Sequence, residues 1–236
     1  MPAGLIGVGV GPGAPDLLTS RALAACRSAD RVFGPTMAVD AVGRAESILR
    51  QAAPDVRVER LVFAIRSDAG ARAEAHVEAA ARVVACLDRA ELVAFITLGD
   101  PNLYSTFHHL ADAVVAQRPG TPVTTVPGIM AFQDVAARTA TVVTDGSERL
   151  VVVSAVGGPE IVEAAIADAG ATVVVYKGGR HLPAITELLA RAGRLDGAVF
   201  GELIGLPGER IGAVASAAGQ PAAYLATVVV PARRTA

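Results

Sequence analysis

Apolar residues along the chain fall in short continuous runs, separated by stretches in which they recur every three or four positions, which are the marks of buried strands and of helices. Strands are predicted at 4–10, 31–34, 57–62, 91–97 and 121–126, then near 149–155, 171–176, 196–201 and 222–230. Helical patterns lie between them, at about 16–28, 71–87 and 103–117, and near 159–169 and 182–192. The runs LVAFI and TVVVY do not alternate with polar residues, which suits interior strands covered on both faces. Strands alternating with helices give an α/β fold, and 236 residues accommodate two such domains. The predicted division is an N-terminal α/β domain over 1–120, opening on a Gly/Pro loop, and a C-terminal α/β domain over 121–236. No tandem repeat or low-complexity linker separates them.

The first predicted strand contains and runs into unusual glycine: five of the ten residues from Gly4 to Gly13. Gly9 to Ala14 satisfy G-x-G-x-x-A, but the dinucleotide-binding turn also needs an acid closing the second strand, about 20 residues on. Here the second predicted strand ends in Gly34-Pro35, and the nearest acid, Asp30, precedes it. Pro12 and Pro15 fix φ in the loop before a helix. Two readings stay open: a plain strand-to-helix turn, or a loop whose backbone approaches an adenosyl ligand.

Ligands of open α/β sheets gather where strands end and loops begin. The other predicted strand ends read TLGDPNLYST (97–106), VPGIMAF (126–132), YKGGRH (176–181) and GELIGLPGER (201–210). Most carry a Gly-Pro, Pro-Gly or Gly-Asp-Pro turn with exposed backbone amides. Asp100, held out of helical geometry by the following proline, can accept hydrogen bonds from an adenosyl or methionine amine, or can serve as a simple turn aspartate.

Composition narrows the chemistry. A formal net charge of −2 supplies no basic field for nucleic acid and no polybasic run for a membrane surface. No apolar run reaches the roughly 18 residues of a membrane span, and no charged segment with an apolar core opens the chain. A soluble, cytoplasmic metabolic protein is expected, with Cys26 and Cys86 as reduced core thiols. His76, His108, His109 and His181 lack metal-ligand spacing, so no protein-bound metal is expected. Lys177 is the single lysine among twenty arginines. Either a compact ammonium is needed at that strand end, or it persists on a solvated loop. Arg180 and His181 beside it suit a substrate with several carboxylates, and Arg66, Arg138 and Arg210 are either further donors or solvated surface charges.

GVGPGAPDLLT, LGDPNLYST and VPGIMAF, in this order and spacing, resemble the tetrapyrrole methylase family, two-domain S-adenosylmethionine enzymes of the cobalamin and siroheme pathways. The resemblance covers nearly the whole chain. GDPNLYSTF, residues 136–153 and residues 173–211 look most like the branch that methylates precorrin-2 at C-20. The resemblance implies S-adenosylmethionine folded in a cleft between two α/β domains, held by Pro12, Gly99, Asp100, Tyr104, Ser105, Thr106, Met130, Ala131, Lys177 and Ala226. For a methyl transfer of this kind Tyr104, Asp100 and Glu202 are the catalytic candidates for polar positioning or proton acceptance, and the cationic Arg180 and His181 the substrate-binding candidates. A homodimer acting on a small tetrapyrrole, without nucleic acid or membrane partners, is expected. Ala14 stands where most relatives have aspartate, and Gln133-Asp134 replace the usual small polar pair. Two other readings remain: a methylase of the same fold acting on cobalt-factor II or another substrate, and a non-catalytic tetrapyrrole or nucleotide carrier. A ribosomal RNA methylase would need a basic surface.

Overall fold

Backbone contacts divide the chain into two compact units, Met1–Met130 and Ala131–Ala236. The computed structural model describes residues 3–38, 40–63, 69–217 and 219–234. The division falls ten residues beyond the expected one because strand Val123–Val126 completes the first sheet by pairing with the strand at the start of the chain.

The first unit contains β1 (Gly4–Gly9), α1 (Ser20–Ser28), β2 (Arg31–Thr36), α2 (Arg44–Ala52), β3 (Val58–Val62), α3 (Ala69–Leu87), β4 (Leu92–Thr97), α4 (Phe107–Gln117) and β5 (Val123–Val126). Its sheet runs in the order β3-β2-β4-β1-β5, parallel throughout. All five carboxyl ends therefore lie along one edge. The LVAFI run is β4, at the centre, and it is buried over its whole length. Leu92, Ala94 and Ile96 face α1 and α2, where Ala22, Cys26, Ile48 and Leu49 are buried. Val93 and Phe95 face the opposite cluster, built with Val83 of α3 and Leu110 of α4. Alternate residues thus serve two cores, which is why the run cannot alternate with polar residues.

The second unit contains α5 (Ala131–Arg138), β6 (Arg149–Ser154), α6 (Glu160–Ile166), β7 (Ala171–Tyr176), α7 (Leu182–Arg191), β8 (Val199–Glu202), β9 (Arg210–Ala213) and β10 (Thr227–Val230). Its sheet order is β6-β7-β10-β8-β9, with β6 and β7 parallel and the other neighbours antiparallel. The carboxyl ends of β6, β7 and β8 and the amino ends of β9 and β10 accordingly share one edge. One face buries Val173, Val175, Val228, Val230 and Phe200 against α6 and α7. Arg194, only 3% exposed, clamps this unit: its guanidinium donates to the carbonyls of Ile166 (3.0 Å), Asp168 (3.0 Å), Ala171 (2.8 Å) and Pro231 (2.9 Å). It thereby satisfies carbonyls left open beyond α6 and links them to β7 and the end of β10.

Several boundaries shift for local reasons. The helix expected from residue 16 is a 3-10 turn at Pro15–Leu17 followed by α1, whose Thr19 hydroxyl accepts from the Ala22 amide at 3.1 Å. The helix expected from 103 begins at Phe107, because Tyr104 has φ +51° and the Ser105 hydroxyl accepts from the Phe107 amide at 3.1 Å. Both hydroxyls act as helix-start signals. Pro35 lies inside β2, at a point where pairing with β4 has already ended at Phe33, so its missing N–H leaves no gap on that side.

The glycines near the amino terminus are steric necessities. A Cβ on Gly7 would lie 2.5 Å from the Phe107 ring, and one on Gly9 would lie 2.6 Å from the Gly128 nitrogen. A Cβ on Gly128 would lie 2.8 Å from both the Cα and the carbonyl carbon of Gly9 and would strike the Gly99 carbonyl. Gly11 has φ +84° and accepts the Gly99 amide at 2.8 Å. The loops after β1, β4 and β5 thus pack backbone on backbone.

Gly128→Ala should lower stability by about 2 kcal/mol or more in urea unfolding, since the facing atoms are backbone and cannot turn aside. Gly157→Ala, where a Cβ meets nothing within 4 Å, should be near neutral, and equal effects for the two would refute the packing account. Arg194→Leu should cost about 3 kcal/mol by stranding its carbonyls, read in the same experiment.

Candidate functional site

At the carboxyl edge of the first sheet, Asp100 fastens two loops. One carboxylate oxygen accepts from the Asn102 amide at 2.8 Å, closing a local turn, and the other accepts from the Gly128 amide at 3.0 Å. Asn102 adds a side-chain bond to the Thr125 hydroxyl at 3.2 Å. Ser105 is buried, its hydroxyl 2.9 Å from that of Thr97. Pro12 and Gly99 are buried in the same seam, and Gly99 takes φ +67°. The side chains that reach outward are different ones: Tyr104 is 43% exposed, while Thr106 and Met130 are half-buried. Met130 places its sulfur 3.4 Å from the position a Cβ on Gly99 would occupy.

The corresponding edge of the second unit gathers Lys177, Arg180, His181, Glu202 and Ala226. Lys177 follows β7 with φ +57° and is half-buried, and that burial lowers its pKa from the ordinary lysine value. The turn behind it is packed tightly, since a Cβ on Gly179 would lie 2.6 Å from the Ala222 carbonyl oxygen, and Gly179 accepts the Ala222 amide at 2.9 Å. Arg180 is exposed, its guanidinium 5.8 Å from the centre of the Tyr224 ring. His181 is half-buried and its amide donates to Gly178 at the start of α7. Glu202 is 5% exposed, with one carboxylate oxygen paired to Arg210 and the other accepting the Ala223 amide. Ala226 is fully buried just before β10. Ala131 is half-buried as the first residue of α5.

The candidates therefore sort by physics into two kinds. Pro12, Gly99, Ser105, Glu202 and Ala226 are buried framework, and Asp100 is half-buried with both oxygens occupied by backbone amides. Tyr104, Thr106, Met130, Ala131, Lys177, Arg180 and His181 offer accessible surface. Arg210 and Arg138 are committed to carboxylates, Arg138 to Glu209 at 2.8 Å, and Arg66 lies outside the described residues.

A further signal is backbone conformation. Five non-glycine residues among those described have positive φ, and three of them, Tyr104, Lys177 and Leu203, follow the carboxyl ends of β4, β7 and β8. Such conformations cost free energy and concentrate where side chains must be aimed. Leu203 was not foreseen, and residue type gives no sign of it. Among the described residues no cluster of His, Cys, Asp or Glu is suited to a metal, and no helix is long and apolar enough to cross a membrane. Burial pushes the Cys26 thiol up to about 12, which suits an inert core residue.

Comparison with known proteins gives this geometry a context. The family model for tetrapyrrole (corrin/porphyrin) methylases matches residues 4–218. The chain is 32% identical to precorrin-2 C(20)-methyltransferase of a Sinorhizobium species, over 96% of this chain and 94% of that one. It is also 32% identical to cobalt-precorrin-2 C(20)-methyltransferase of Salmonella typhimurium, covering 87% of this chain and 86% of that one. Among solved structures, the cobalamin synthesis-related protein CobF of Corynebacterium diphtheriae superimposes with a TM-score of 0.71 at 17% identity, covering 98% of each chain, a likeness of fold. Two α/β units with glycine-packed loops at the sheet edge, matched by the family model from β1 to beyond β9, make this chain a member of the tetrapyrrole (corrin/porphyrin) methylase family.

Proposed function

We propose that the protein is an S-adenosylmethionine-dependent methyltransferase of cobalamin biosynthesis that methylates precorrin-2 at C-20. The observation that carries this reading is the 32% identity, almost end to end, to an enzyme named for that reaction. The cytoplasm and a homodimeric state belong to the same reading.

S-adenosylmethionine supplies a methyl group already activated by a sulfonium. The chain's task is alignment of a carbon nucleophile with it, which can contribute on the order of 7–11 kcal/mol. The meso carbon of a reduced tetrapyrrole, flanked by pyrrole nitrogens, is such a nucleophile and must shed a proton after methylation. No nucleophilic side chain or protein-bound metal is required. The accessible residues fit the two ligands: a phenol at Tyr104, a hydroxyl at Thr106, a thioether at Met130 and an ammonium at Lys177, two of them on αL backbone. Asp100 fastens the loops after β4 and β5 and Glu202 ties the segment entering β10, which leaves Tyr104 as the stronger candidate for polar positioning or proton acceptance.

Incubation of the purified protein with S-adenosylmethionine and either precorrin-2 or cobalt-factor II should add one methyl group to the metal-free substrate, read by mass spectrometry. Methylation of cobalt-factor II alone would transfer the assignment to the cobalt-bearing branch, a named member of which is also 32% identical to the chain, over 87% of its length. No methylation of either would refute the proposal.

Lys177→Ala should weaken cofactor or substrate binding by about 1.5–3 kcal/mol, the scale of a charged hydrogen bond. Folding should be little affected. Because burial depresses this pKa in the folded state, the charged ammonium costs stability below it, so removing the group does not remove a stabilising charge. The same depression gives the sign of the pH effect: binding that needs the ammonium should loosen as pH rises, at lower pH than an ordinary lysine would give. Lys177→Arg should abolish that titration. Wild-type affinity in Lys177→Ala, by calorimetry, would return the residue to the solvated surface.

A further inference from the structure

Five arginines among the described residues are not exposed: Arg44, Arg60, Arg118, Arg194 and Arg210. Four are provided with acceptors. Arg60 pairs with Glu46, Arg118 with Asp88, Arg210 with Glu202, and Arg194 with its four carbonyls. Arg44 has neither a hydrogen bond nor an ion pair among the described residues, and burial, with no carboxylate to offset it, lowers its pKa. A guanidinium drawn partly out of water without an acceptor is a net cost to the fold. Wherever else among the described residues an arginine is withdrawn, the chain supplies the partner, so the exception points to an acceptor that arrives from outside.

Its place in the fold is fixed. Thr36, at the end of β2, is buried, with its hydroxyl 2.9 Å from the Ala38 carbonyl oxygen and 2.7 Å from that of Ala41, which closes the turn after the strand. A Cβ on Gly43 would strike the Pro35 carbonyl, so the residue before Arg44 lies directly against the strand end. Ile48, one turn further along α2, is buried, which puts Arg44 on an inward side of the helix. β2 neighbours β4 in a parallel sheet, so Arg44 stands at the same edge as Gly99 to Thr106. The same loop exposes two large apolar side chains, Met37 at 50% and Val42 at 51%.

A half-buried cation beside exposed apolar groups suits a ligand that is itself an apolar plate fringed with carboxylates. We propose that Arg44 binds a carboxylate arm of the tetrapyrrole, with Met37 and Val42 against its macrocycle. The assignment rests on the function proposed above. The planar guanidinium can take a carboxylate through two parallel hydrogen bonds, which would fix the orientation of the ring as well as its affinity. The methionyl carboxylate of the cofactor has the same chemistry, but it brings no apolar plate to cover Met37 and Val42.

Fluorescence titration with sirohydrochlorin, the stable oxidised form of precorrin-2, separates these sources when S-adenosylhomocysteine is titrated alongside by calorimetry. Arg44→Gln should bind sirohydrochlorin about tenfold or more weakly, while its affinity for S-adenosylhomocysteine stays within about twofold of wild type. Arg44→Lys, which keeps the charge and loses the fork, should fall between. The urea midpoint of Arg44→Gln should be unchanged or raised, since a desolvated charge has gone. Three results would each overturn the role of Arg44: wild-type sirohydrochlorin affinity in Arg44→Gln, an equal loss of S-adenosylhomocysteine binding, or a lowered urea midpoint in both variants. If the wild-type protein itself ignores sirohydrochlorin and methylates neither substrate, the failure lies in the proposed function, and the Arg44 assignment falls with it.

Discussion

Three loops of the first unit leave their strands so close together that no side chain can stand between them. Gly9, Gly99 and Gly128 meet through backbone atoms alone, and the Gly11–Gly99 bridge and the carboxylate of Asp100 lock the contact. Everything that reaches outward from this edge is placed by that seam. Tyr104 takes its αL backbone where the chain turns out of the seam, Ser105 ties the turn to β4, and Met130 lies over Gly99. Close backbone packing of this sort is stiff, because neither partner has rotamers to yield. A site built on it keeps its geometry without a ligand to shape it.

The second unit reaches a similar end with charge. Glu202 is buried on β8 opposite Arg210 on β9, and its other oxygen holds the Ala223 amide, so one carboxylate ties a hairpin to the segment entering β10. Arg194 does the complementary work with a cation at the other side of the unit. In both places the chain employs a buried ion held by several partners, both oxygens of Glu202 and both terminal nitrogens of Arg194 being engaged, which is the condition under which such ions are tolerated.

How much of this was legible depended on where the information lay. Strands buried along their whole length, such as LVAFI and TVVVY, stood out because their apolar runs have no other use. α2 did not: its inner face includes Glu46, 1% exposed and held by Arg60 and Arg50, so its pattern reads as polar until partners distant in sequence are known. β9, four residues with glycine inside, gives no periodic signal at all. The glycines advertised close approach correctly but not its object, which is the neighbouring backbone at Gly9 and Gly128. Asp100 and Glu202 were visible as unusual carboxylates, but whether an acid accepts a proton or holds a loop depends on which amides face it, and only the fold decides that. Lys177 was singled out by scarcity, a signal independent of periodicity, and it occupies one of the three αL positions at strand ends.

That scarcity has a practical side. With one lysine in the whole chain, every amine-directed reagent has a single side-chain target, and that target stands at the edge of the second sheet with its ammonium partly withdrawn from water. A lowered pKa leaves more free amine at a given pH, so acylation there is favoured over a fully solvated lysine. Among its side chains the protein thus carries one natural handle for a fluorophore or cross-linker, placed by the fold itself without any engineered cysteine.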